Sequence, residues 1–125
     1  MRPGIAQFAW ILQISLGLTY LVAGLSKLIG IAAMTSLFQA VGFGQWFRYL
    51  VGATETAGAV LLFTPSWSGV AAMALVPIMV GAVAIGFLLP GRSPASAALC
   101  LTGLLAVAWI RRAAAIRAVQ AAFGQ

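Results

Sequence analysis

Apolar residues fill this chain in long runs, and a handful of charges marks the runs off. Residues 3–26, between Arg2 and Lys27, carry no charge; nor do residues 28–47, between Lys27 and Arg48. Residues 49–91 contain only Glu55, and residues 93–110 contain no charge before Arg111. A helix crossing a bilayer needs about 20 mostly apolar residues, so the first run predicts a span over about 5–28. Its apolar stretch exceeds the roughly 7–15 residues of a secretory signal, and a retained helix is expected. The second run is interrupted by Gly30, Thr35, Ser36, Gln39, Gly42, Gly44 and Gln45, while Ile31, Met34, Leu37, Phe38 and Val41 recur at helical spacing. That pattern predicts a short amphipathic helix lying in the membrane interface.

The third run is too long for one helix. Thr64-Pro65-Ser66 divides it, because proline lacks a backbone donor and pushes the preceding residue away from helical geometry. The predicted spans are about 47–63 and 67–89, the latter with Ser66 or Ser68 as N-cap and with Pro77 inside it. Leu89-Pro90-Gly91-Arg92-Ser93-Pro94 reads as a polar turn, with Ser93 as N-cap and Pro94 at the first position of the next helix. The fourth span is expected over about 94–110, followed by a basic tail, 111–125, whose Arg111, Arg112 and Arg117 would rest on anionic headgroups. The expected fold is all-α: a single domain over 1–125, an integral membrane four-helix bundle of up-down topology, with the interfacial helix between the first two spans. Small residues at Gly52/Thr56, Ala53/Ala57, Ala82/Gly86 and Ser96/Cys100/Gly103 would let backbones approach closely.

Composition narrows the class. The chain is 63% hydrophobic and 6% charged, with a mean hydropathy of +1.09. Soluble domains are about 25% charged, so this chain cannot dress a water-facing surface. The formal charge of +6 comes from seven dispersed basic residues, which form no patch for nucleic acid. With no His, one Cys and Glu55 as the only acid, the chain cannot build a Ser-His-Asp triad, a His/Cys metal site or an internal disulfide. It has no self-contained catalytic constellation.

Four spans place both termini on one side, with Arg2, Arg111, Arg112 and Arg117. The other side carries Lys27, Arg48 and Arg92. If Lys27 and Arg48 turn into the bundle, the positive-inside bias puts both termini in the cytoplasm. Trp10, Trp67 and Trp109 then fall at one interface and Trp46 and Tyr49 at the other. Glu55 lies eight residues from each end of its span, about 12 Å deep. An ionised carboxylate there is costly, so it must be protonated, paired or turned inward. Two cations are placed to answer it: Lys27 at the end of the first span, and Arg48 two turns away on the same face. Tyr20, Gln13 and Thr56 are candidate polar lining. Glu55, Lys27 and Arg48 are thus either a functional cluster or a structural ion pair that sets helix register.

These residues carry a resemblance. Leu21-Val22-Ala23-Gly24-Leu25-Ser26-Lys27-Leu28, the segment Phe47–Leu62 around Gly52-x-x-Glu55-x-x-Gly58-Ala59, and Met79-Val80-Gly81-Ala82-Val83 resemble the DoxX and DoxX-like family of small four-helix bacterial membrane proteins. The resemblance covers nearly the whole chain and matches Lys27, Glu55 and Arg48 to recurrent charged positions. Where many relatives carry a His after the third-span Gly-Ala, this chain has Ile85-Gly86. The resemblance implies residence in the bacterial cytoplasmic membrane and an association with redox chemistry, since some relatives are subunits of a thiosulfate:quinone oxidoreductase. It therefore implies an accessory subunit assembling with an oxidoreductase partner, a quinone as the only cofactor to consider, and room for a homo-oligomer. The alternative is a small proton-coupled transporter in which Glu55 exchanges a proton for a cation.

Overall fold

A computed structural model describes residues 2–89 and 93–124. Among the described residues six helices follow one another: α1 (Pro3–Ile29), α2 (Ala32–Val41), α3 (Gln45–Leu62), α4 (Ser68–Leu88), α5 (Ala95–Ile110) and α6 (Arg112–Phe123). No strand occurs among the described residues. The predicted elements are all present, each with bounds within a few residues of those expected, and the basic tail adds a helix of its own. The expected turn at Pro90, Gly91 and Arg92 lies outside the described residues.

Burial follows the helical period. In α1 the buried positions are Ala9, Gln13, Leu16, Gly17, Tyr20 and Gly24. In α3 they are Arg48, Val51, Gly52, Glu55, Gly58, Ala59 and Leu62. Each set recurs every three to four residues and forms one stripe. The stripes run antiparallel: Gln13 meets Leu62 at one end, and Gly24 meets Gly52 toward the other. A Cβ on Gly24 would stand 2.9 Å from the Gly52 carbonyl oxygen and 2.8 Å from the Thr56 nitrogen, so only glycine admits this backbone approach. Ala53 and Ala57, expected on the same seam, are exposed instead. α4 packs on α3 and α5, and α5 returns to α1, so the four helices share a core of Leu16, Tyr20, Leu62, Leu75, Leu104 and Val107.

Capping departs from expectation at both helix starts where a serine cap was expected. Ser68 is already inside α4; its hydroxyl donates to the Pro65 carbonyl at 3.1 Å, and the N-cap Trp67 makes no side-chain bond. The Ser93 hydroxyl accepts the Ala95 N–H at 3.2 Å, but the helix begins one residue later than expected, with Pro94 at the N-cap. Pro77 sits within α4 and, having no N–H, leaves the Met73 carbonyl without its helical partner.

Among the described residues two helices, α1 and α4, are long and apolar enough to cross a membrane, and a third is gained if α5 and α6, bent by 68° at Arg111, count as one span. Four uninterrupted spans were expected. The shortfall has a local cause in each case. α3 has 18 residues, but Gln45, Arg48 and Glu55 lower its apolarity, and it hides two of the three in its buried stripe. α5 stops after 16 residues, where the chain turns into α6. Outward faces are strongly apolar: Phe8, Ile11, Ile14, Leu18 and Val22 along α1, and Met73, Val80, Phe87 and Leu88 along α4 are exposed.

Candidate functional site

The last turn of α1 and the middle of α3 build the charged centre. Gly24 and Gly52 bring the two backbones together, and Lys27 follows Gly24 by one turn with its Cβ against Gly52. From there Lys27 Nζ reaches Glu55 Oε1 at 2.7 Å. The side chains are 13% and 2% exposed, so both charges are largely out of solvent. The contact is an ion pair. In a low-dielectric interior the attraction between such charges is strong, but so is the cost of stripping their water. Neither partner can be removed without leaving a buried charge behind.

Arg48, expected to reach toward Glu55, turns the other way. Its Nε donates to Gln45 Oε1 at 2.7 Å and its Nη1 donates to the Lys27 carbonyl. The reason lies at the end of α1. Gly30 caps that helix at φ 81, and its N–H and that of Ile31 both bond Ser26, which leaves the Lys27 carbonyl free. The guanidinium fits against Gly30 only because no Cβ is there; one would stand 2.8 Å from Nη1. Arg48 also lies over the Tyr49 ring at 4.3 Å. It is 5% exposed and supports the pair through the Lys27 backbone, not by touching Glu55.

The other expected lining residues are dispersed. Thr56 bonds back to the Gly52 carbonyl at 2.8 Å and packs on Gly24. Tyr20 is 2% exposed, and its hydroxyl makes no hydrogen bond among the described residues. Gln13 belongs to the opposite end of the bundle. Its amide donates to the Leu62 carbonyl at 3.0 Å and its Oε1 accepts Arg111 Nε at 2.8 Å. Arg111, expected on headgroups, is therefore tied into the bundle.

Beside the ion pair a cleft of about 590 Å³ opens between α3 and α4, closed at one end by α2 and the start of α5. Lys27 and Glu55 are its only charged wall residues among those described; Phe38, Phe47, Pro77 and Met79 represent the rest, which is mostly apolar. A few polar groups in an apolar concavity of this size is the usual form of a small-molecule site. Sequence reasoning did not find this cleft. Phe38 reads as part of the apolar face of the interfacial helix, Phe47 as the start of the second span, and Pro77 as a kink alone.

A sequence model of the DoxX-like family matches residues 11–110. The chain belongs to the DoxX-like family. The matched region contains α2, α3, α4 and α5 and most of α1, hence the ion pair and every wall of the cleft. No curated protein and no solved structure matches the chain. Family membership, with helices long and apolar enough to cross a bilayer, marks this DoxX-like protein as a membrane protein. Among its described residues no group of three or more His, Cys, Asp or Glu could hold a metal ion.

Proposed function

We propose that this DoxX-like protein is a non-catalytic accessory subunit of the bacterial cytoplasmic membrane that holds a lipophilic ring, of the quinone class, for an oxidoreductase partner. In this reading α1, α3, α4 and α5 all cross the bilayer as a four-helix bundle, and both termini are cytoplasmic. One observation carries the proposal: a mostly apolar cleft of about 590 Å³ with a single buried ion pair in its wall. The apolar wall suits a ring and an isoprenoid tail. Lys27, held 2.7 Å from Glu55, supplies a donor for a ring carbonyl, and Glu55 supplies an acceptor. Glu55 lines the cleft, which also favours a proton-coupled transporter. That role requires an incoming cation to displace Lys27, which already occupies the carboxylate.

The test is direct. Protein purified in mild detergent is titrated with a short-tailed ubiquinone analogue and followed by tryptophan fluorescence. Saturable quenching is expected, weakened about tenfold or more in Lys27→Met, since hydrogen bonds to charged groups contribute about 1.5–3 kcal/mol. Absence of quenching in the intact protein ends the quinone reading. Proton release on adding lipophilic cations to reconstituted vesicles would replace it with the transporter. Copurification with an oxidoreductase under gentle solubilisation checks the accessory role.

A further inference from the structure

A second concavity lies on the far side of Arg48. It is an open basin of about 560 Å³ lined by Thr35, Gln39, Gly42, Gly44, Gln45 and Arg48. Its lining is the reverse of the cleft's: among the described residues no large apolar side chain takes part. Arg48 is its only charge among those residues, and that charge has no acidic partner. Glu55, the chain's only acid, is committed to Lys27. Two of the three guanidinium nitrogens are occupied, Nε by Gln45 and Nη1 by the Lys27 carbonyl; Nη2 has no hydrogen bond among the described residues.

Helix ends do not neutralise this charge. Arg48 stands where the C-terminus of α1 meets the N-terminus of α3. These termini act as about −0.5 and +0.5 of an elementary charge and largely cancel. The first turn of α3 also contains no acidic residue, and its N-cap, Gly44, offers no side chain to its free N–H groups. A buried guanidinium with a spare donor, beside uncapped backbone N–H groups and an exposed amide, is what a planar or tetrahedral oxyanion requires.

We propose that the basin is an anion site separate from the cleft, receiving a phosphate-type oxyanion on Arg48 Nη2, the α3 N-terminal N–H groups and the Gln39 amide. The oxyanion comes either from a phospholipid headgroup or from a free anion in water. The proposal does not rest on the quinone reading, because the two concavities have different walls.

The experiment uses the full chain in a non-ionic detergent at fixed ionic strength. Thermal unfolding is followed while inorganic phosphate replaces chloride, and in parallel while short-chain phosphatidylglycerol replaces phosphatidylcholine. A saturable upward shift is expected in at least one arm. Affinity should fall about tenfold or more in Arg48→Gln and about threefold in Gln39→Leu, as charge-assisted and neutral hydrogen bonds are lost. A response to inorganic phosphate assigns the site to free anions; a response to phosphatidylglycerol alone assigns it to headgroups. No saturable shift in either arm overturns the proposal, as does a shift that neither substitution weakens. If Arg48→Gln does not fold, Gln39→Leu decides, since Gln39 is exposed and free to change; unchanged affinity in that variant overturns the site.

Discussion

The two ends of the bundle use one device for different purposes. At each, an arginine Nε donates to a glutamine Oε1, and that glutamine donates onward to a backbone carbonyl of another segment. At one end the chain of bonds is Arg111 to Gln13 to Leu62, at 2.8 and 3.0 Å. At the other it is Arg48 to Gln45 to Thr35, at 2.7 and 3.1 Å. Each guanidinium also lies over an aromatic ring, Trp10 for Arg111 and Tyr49 for Arg48. The difference is packing. Gln13 is wholly buried, and its relay joins α1, α3 and the α5–α6 junction. Gln45 is only partly buried and borders the open basin, while the cleft opens just below it. The same polar chemistry is buried at one end and borders an open basin at the other.

The largest effect should come from breaking the ion pair at the open end. Lys27→Met strands Glu55 and is expected to cost about 3–5 kcal/mol, whereas Lys27→Met combined with Glu55→Leu recovers most of it. Thermal unfolding in detergent measures both; a double variant no more stable than the single would show that the pair is not coupled. Next comes Gln13→Leu, which leaves the Leu62 carbonyl and Arg111 Nε unmet in a closed interior. About 2–4 kcal/mol should be lost, the full penalty for unsatisfied buried groups.

Gln45→Leu makes the equivalent change at the open end, where water replaces the amide. Its expected cost is about 1 kcal/mol or less, and parity with Gln13→Leu would collapse the contrast between buried and open ends. The smallest effect should be Trp10→Leu, about 0.5–1 kcal/mol for the stacking under Arg111. Salt titration of its unfolding separates that contact from simple packing.

How much of this was legible in the sequence follows from what each residue has to do. Lys27 and Glu55 were, because rare charges in an apolar chain must find each other and the antiparallel second span brings Glu55 within reach of the Lys27 stem. The helices were legible because charges and prolines bound the apolar runs. Arg48 was misread, since its side chain is directed by a free carbonyl that exists only because Gly30 ends α1 where it does. Gln13 was misplaced because type alone suggested lining. It lies 14 residues before Lys27, about 21 Å along the helix, and its partner Arg111 is 98 residues away in sequence. The cleft was invisible because a concavity belongs to the spacing between helices, and no single segment encodes that.

Pro77 stands in the cleft wall and in the middle of α4. A straight helix resists bending because each degree of flexure stretches hydrogen bonds on its convex side. Here one of those bonds is already missing, and Gly81, which also lines the cleft, meets nothing within 4 Å where its Cβ would be. Amide exchange faster at residues 78–81 than in the rest of α4 would register this compliance; uniform protection along the helix would mean a stiff wall. If α4 yields there, the cavity's volume is a mechanical variable and not a fixed dimension: the helix would act as a leaf spring, admitting a ring larger than the resting space by flexing one wall without unfastening the bundle.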